Sequence, residues 1–126
     1  MNCPKCDAVM EDVVVNAVTV ERCTNCKGLW FSGADHKELK RMDGSDSIDI
    51  GSAKVGAKFD DLEDVPCPVC GEIMQRIADK FQPHIHYETC PASHGVFFDA
   101  GEFKDFSHET LGDFFKSLSW LFSKKT

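Results

Sequence analysis

The sequence predicts a small metal-stapled α+β fold built from one unit used twice. Seven cysteines in 126 residues, most of them in Cys-x-x-Cys pairs, and the recurrence of those pairs in the second half of the chain carry this reading. At 42% hydrophobic and 28% charged residues the chain is not disordered by composition. Units of about 40 residues nevertheless rarely fold on apolar burial alone, so a staple is required, either disulfide or metal. The N-terminus, Met1-Asn2-Cys3-Pro4-Lys5-Cys6, shows no basic region followed by an apolar stretch, and no apolar run approaches the roughly 20 residues that span a bilayer. A cytoplasmic location is expected, and in a reducing compartment paired cysteines serve as metal ligands more often than as disulfides.

The first copy runs Cys3-Pro4-Lys5-Cys6, then Cys23-Thr24-Asn25-Cys26-Lys27-Gly28-Leu29-Trp30-Phe31. The second runs Cys67-Pro68-Val69-Cys70, then Cys90-Pro91-Ala92-Ser93-His94-Gly95-Val96-Phe97-Phe98. The offset grows from 64 at the first pair to 67 at the second, which places three extra residues near Phe81-Gln82-Pro83, at a hairpin tip where insertions are tolerated. Between the cysteine pairs, Val13-Val14-Val15 and Val18-Thr19-Val20 flank Asn16-Ala17, and Ile85-His86-Tyr87 precedes Cys90, so each copy reads as a hairpin joining two cysteine knuckles. Short helical runs follow at 35–42 and 102–106, opened by acidic residues suited to a helix N-terminus. The resulting division is 1–42, an acidic linker at 43–66, 67–106, and a C-terminal amphipathic helix at 107–126. The linker carries seven Asp or Glu against two Lys and reads as a mobile tether. The competing reading docks its Ile48, Ile50, Val55, Phe59 and Leu62 on a module.

Cys-x-x-Cys sets two thiolates on one tight turn whose N–H groups can bond to sulfur, and a second such turn across a hairpin completes a tetrahedron around Zn²⁺. The expected ligands are Cys3, Cys6, Cys23 and Cys26 in the first copy. In the second they are Cys67, Cys70, Cys90 and His94, because Ser93 stands where the fourth cysteine would be. His86 and a bound water are the alternatives at that fourth position. His36, His84 and His108 read as exposed polar residues. Gly28 and Gly95 read as positions of positive φ after the second knuckle. The pairs Trp30-Phe31 and Phe97-Phe98 read as miniature cores, with a base-stacking platform as the alternative.

Cys-Pro-x-Cys, a hairpin, Cys-x-x-Cys-x-Gly-x-Trp and a tail of the Asp-x-Gly-Glu-Leu type together resemble the transcription-factor-IIB-type zinc ribbon of small bacterial and archaeal proteins. Both copies match, over about two thirds of the chain. Phe98-Asp99-Ala100-Gly101-Glu102-Phe103 fits the tail, whereas the first copy has Ser32, Ala34 and Asp35 where the family tends to Asp, Gly and Glu. The resemblance implies tandem zinc ribbons and two zinc ions, one per ribbon, and its name suggests transcription.

Charge points elsewhere. The formal net charge is −7, and two thiolate-rich zinc sites would take it to about −10. Nucleic-acid affinity rests largely on cations that neutralise phosphates, so duplex binding is disfavoured. Lys37, Lys40 and Arg41 form the one basic stretch, read as a solvated helix face. No Ser/His/Asp set, phosphate loop or paired carboxylates stand out, and four-ligand zinc has no vacant position for water. The expected function is a non-enzymatic adapter working through protein contacts, with no small-molecule substrate. A nucleic-acid-binding ribbon is the alternative. In the C-terminal stretch, Leu111, Phe114, Phe115, Leu118, Leu121 and Phe122 share an arc of roughly 120°, with Trp120 nearly opposite. That arc suits packing on the second copy or self-association through 108–126; a membrane surface is not expected, since few lysines accompany it.

Overall fold

The computed structural model describes residues 1–42, 44–60, 62–80 and 82–107. The expectations for the C-terminal stretch, including His108, Trp120 and self-association through 108–126, lie outside the described residues.

Strands β1 (Met10–Val15) and β2 (Val18–Cys23) form the first hairpin, paired Val15 to Val18 around Asn16 and Ala17. Both turn residues have positive φ, 48° and 69°, as a two-residue hairpin turn with the right twist demands. Strand β3 (Leu29–Ser32) adds to β2, and helix α1 (Asp35–Lys40) follows. The second copy repeats the plan with β4 (Gln75–Ala78), β5 (His86–Thr89), β6 (Gly95–Phe98) and helical residues 102–107, here α3. The Asp79 N–H bonds the Ile85 carbonyl at 2.8 Å, which leaves residues 80–84 as the tip, three more than in the first hairpin. The insertion therefore falls where the offsets place it.

The two copies are not separate beads. Among the described residues the six strands form one antiparallel sheet in the order β1-β2-β3-β6-β5-β4, joined at its centre by β3 and β6. Leu29 faces Phe98, Trp30 faces Phe97, Phe31 faces Val96 and Ser32 faces Gly95. Since the copies are offset by 67 here, Trp30 and Phe97 are counterparts lying opposite each other. A pseudo-two-fold axis passes between them.

Alternation along β3 and β6 divides each aromatic pair between the two faces of the sheet. Trp30 and Phe97 join the cysteines, Met10, Val65 and Met74 on one face. Leu29, Phe31, Val96 and Phe98 join Leu39, Ile48, Ile85, Phe103 and Phe106 on the other. All four aromatics are at most 1% exposed, so they are core and offer no platform for bases. His36, expected to be exposed, is buried at 4% and packs edge-on to Phe31 and beside Tyr87, Phe98 and Phe106. It occupies the place of Phe103 in the second copy. Burial, with Lys37 and Lys40 nearby, holds its imidazole down at about 4, so it stays neutral at ordinary pH.

Gly28 and Gly95 do not have positive φ; the left-handed residues are Lys27 (65°), immediately before Gly28, and Ser93 (61°), two residues before Gly95. Their reason for being glycine is the dyad. A Cβ on Gly28 would strike the Phe97 ring, and one on Gly95 would strike the Phe31 carbonyl and the Trp30 indole, so each copy carries a slot filled by the other's aromatic. Gly95→Ala is expected to destabilise the chain by about 3 kcal/mol or more, because backbone stands in the way and cannot move as a side chain can. Thermal unfolding of the zinc-loaded variant checks this; a change below 1 kcal/mol, roughly, would contradict it.

Residues 43–66 are not an unstructured tether over their described part. A 3₁₀ turn (Ser45–Ile48) and helix α2 (Ala53–Asp60) occupy them. Ile48 is buried in one core cluster, and Val55 and Phe59 pack against the other. Asp49 is 6% exposed and its two carboxylate oxygens each accept a hydrogen bond at 2.9 Å, from the N–H groups of Gly101 and Lys104. A segment rich in carboxylates is thus held by the unpaired amides at the start of α3. Ile50 and Leu62 remain exposed.

Candidate metal centres

Each metal-binding cluster grows from two turns. At the first knuckle the Asp7 N–H bonds the Cys3 carbonyl at 2.9 Å, and its counterpart Gly71 bonds Cys67 at the same distance. At the second, the N–H of Cys23 bonds Gly28 and that of Cys90 bonds Gly95. Backbone N–H groups point at sulfur: Asn25 and Cys26 toward Cys23, and Val69 toward Cys67, all at 3.4 Å.

These turns bring together every residue the spacing singled out. Cys3, Cys6, Cys23 and Cys26 have their sulfurs within 4.8 Å of one another, as do the donor atoms of Cys67, Cys70, Cys90 and His94. The sulfur pairs Cys3–Cys26, Cys6–Cys23 and Cys70–Cys90 are 3.8, 3.3 and 3.6 Å apart, and Cys90 lies 3.4 Å from Nδ1 of His94. A tetrahedron with Zn–S arms of ~2.3 Å has edges of about 3.8 Å, so the donors are spaced as zinc requires. His86 starts β5 opposite Ala78 and is not in the group.

The electrostatics of the donors call for a cation. Burial opposes ionisation of Cys6, but the Ala8 N–H and hydrogen bonds from Cys23, Asn25 and Cys3 outweigh it and bring the thiol down to about 7. At Cys90 burial is outweighed in the same way by the amides of His94 and Ala92 and by Cys67 and Cys70, to about 6. Cys3, hydrogen-bonded to Cys26 and buried, is pushed up. One thiolate is thus favoured in each cluster, while Cys3 and Cys23 beside Cys6, and Cys70 beside Cys90, are pushed up, a repulsion that a divalent ion removes.

Residues 2–42 match the family model described as transcription factor zinc-finger, the TFIIB-type zinc ribbon. This segment is a TFIIB-type zinc ribbon. No curated protein and no solved structure matches the chain. The second copy repeats the ribbon's strands, knuckles and following helix, with His94 in the ligand group in place of a fourth cysteine. The ribbons differ in cover: Cys3, Cys23 and Cys26 are buried in the first, whereas Cys70 and His94 of the second are exposed. Native mass spectrometry is expected to find two zinc ions, falling to one in His94→Ala and staying at two in His86→Ala. Two ions surviving His94→Ala would remove that residue from the site.

Sequence reasoning missed the buried ionic centre that ties the ribbons together. The Lys5 side chain is fully buried, and its ammonium donates to Glu88 at 2.6 Å, Asp99 at 2.8 Å and the Phe59 carbonyl at 3.0 Å. One side chain from the first knuckle thus spends its three protons on β5, the end of β6 and α2. Burial lowers the Lys5 ammonium's affinity for its proton, but Asp99 and Glu88 outweigh this and raise it. Burial holds Glu88 and Asp99 above the usual carboxylate range, Asp99 at about 6, because one ammonium offsets two carboxylates incompletely.

Proposed function

We propose that the chain is a non-enzymatic, intracellular adapter whose two zinc ions act structurally and whose work is done through protein contacts. The observation that carries this is the completeness of both ligand sets: four protein donors converge at each site, which leaves a tetrahedral ion no position for water or substrate. Among the described residues no helix is long and apolar enough to cross a membrane. The exposed apolar residues Val9 and Ile73, counterparts beside the first knuckle of each ribbon, and Val69 between Cys67 and Cys70, supply surface for a protein partner. Affinity capture from the native host, run with zinc-loaded and chelated protein, tests this: a partner retained only by the loaded form is expected, and no partner with either form would end the adapter reading.

The family description favours a second reading, a transcription-associated ribbon that binds nucleic acid. Against it stand the net charge of −7, the burial of both aromatic pairs, and the engagement of Lys40 over the Phe106 ring at 3.8 Å. Binding to single-stranded or duplex oligonucleotides at about 50 mM salt, weakening as salt rises, would reverse the preference.

A further inference from the structure

We propose that β3 of the first ribbon is a self-association edge, covered by β6 while the second metal site is filled and available to a second copy of the chain when that site is empty. The inference rests on the reading that both sites hold structural zinc.

The register carries the argument. In the β3–β6 pair each residue meets the counterpart of a β3 residue: Trp30 meets Phe97, which is Trp30 in the other copy, and Leu29 meets Phe98, which is Phe31. An edge that accepts its own repeat across a two-fold axis is nearly self-complementary. Two β3 strands would place Trp30 opposite Trp30 and Leu29 opposite Phe31, burying the same kinds of side chain that β6 buries now. The slots agree. Gly28 now receives the Phe97 ring, and in a β3–β3 pair it would receive the second copy's Trp30.

The two sites differ in the way such a gate needs. The first site draws its four donors from residues 3–26 alone, and Leu29 and Trp30 pair with Arg22 and Glu21 of β2, so this part of β3 keeps a partner strand within the first ribbon. The second presents Cys70 and His94 to solvent, open to a competing chelator. Ribbons of this size fold with their metal, so loss of the second ion opens β5 and β6 and uncovers the edge. An uncovered strand with Leu29, Trp30 and Phe31 across its width seeks another strand.

The test uses the full chain. Native mass spectrometry counts zinc in the wild type and in a Cys70→Ser/His94→Ala variant, and light scattering gives the mass of each. Two ions and one ion are expected, with the variant's mass twice that of the wild type. Adding Gly28→Val to the variant fills the slot and is expected to return the wild-type mass, whereas the doubling persists in chains lacking 108–126. A variant of unchanged mass, or one forming polydisperse aggregate, overturns the inference while leaving the zinc reading intact. So does a doubling that survives Gly28→Val or vanishes with 108–126, since either would assign the contact to another surface. Fewer than two ions in the wild type, or two in the variant, overturns the zinc reading and this inference with it.

Discussion

Replacing Lys5 with methionine is expected to destabilise the folded chain by about 3–5 kcal/mol, although no metal ligand is touched. Methionine fills much of the same volume, so the loss is electrostatic. Glu88 at 3% and Asp99 at 2% exposure would keep their burial and lose their counter-charge, and the Phe59 carbonyl would lose its donor. Glu88 already has one buried oxygen, Oε2, without a hydrogen-bond partner among the described residues, so the site has no spare donor to step in. The pH dependence has a definite sign. An acid whose folded pKa lies above its unfolded value, as Asp99 does at about 6, favours the fold when protonated and opposes it as pH rises through that value. The penalty of Lys5→Met is therefore largest above about pH 7 and shrinks toward pH 6 as Asp99 takes up a proton. Denaturant unfolding of zinc-loaded protein at those two pH values checks both points. Equal stability of variant and wild type at the higher pH would show that the ammonium does not hold the ribbons together.

Removing both metal ions is expected to abolish the sheet. Structural zinc contributes on the order of 10 kcal/mol per site to units of this kind, comparable to the whole stability of a small domain. The buried side of the sheet that faces the metals is lined by Cys3, Cys23, Cys26, Cys67 and Cys90 beside Trp30 and Phe97, so without ions the thiols have neither charge compensation nor enough neighbouring apolar surface. Far-UV circular dichroism during chelation should lose its strand signal, and zinc returned in excess should restore it. A sheet that persists after metal analysis reads zero would contradict this.

The two donor clusters and the hairpins were legible because both are local. Cys-x-x-Cys and Cys-x-x-x-His write their geometry into a few consecutive residues, and Asn16-Ala17 between runs of valine specifies a turn. The three-residue insertion was legible from arithmetic on two offsets. The dyad was not, since the meeting of β3 with β6 depends on residues 67 apart and nothing in either strand names its neighbour. Gly28 and Gly95 were misread for that reason: their proximity to a knuckle suggested backbone conformation, while the cause is an aromatic ring from the other ribbon. Lys5 sits in a knuckle beside Pro4, where a lysine normally faces water, and its counterpart Val69 is 54% exposed. Composition misled at 43–66, because counting carboxylates does not reveal that Asp49 finds two amide donors. His36 left a usable signal. The 67-residue offset sets it against Phe103, as it sets Leu39 against Phe106, and a histidine aligned with a core phenylalanine belongs in the core.

The pairing of β3 with β6 also changes what each ribbon must supply for itself. A lone ribbon with a weakened ligand set has only its metal to keep its strands in register. Here the first ribbon, with four cysteines, presents a formed strand against which β6 is ordered, and Lys5 reaches across to fasten β5. The second ribbon can therefore afford Ser93 in place of a cysteine and a histidine at the surface. Its donor set is the more exposed of the two, and its central strand lies against that of its neighbour, so the two halves are unequal partners in one sheet.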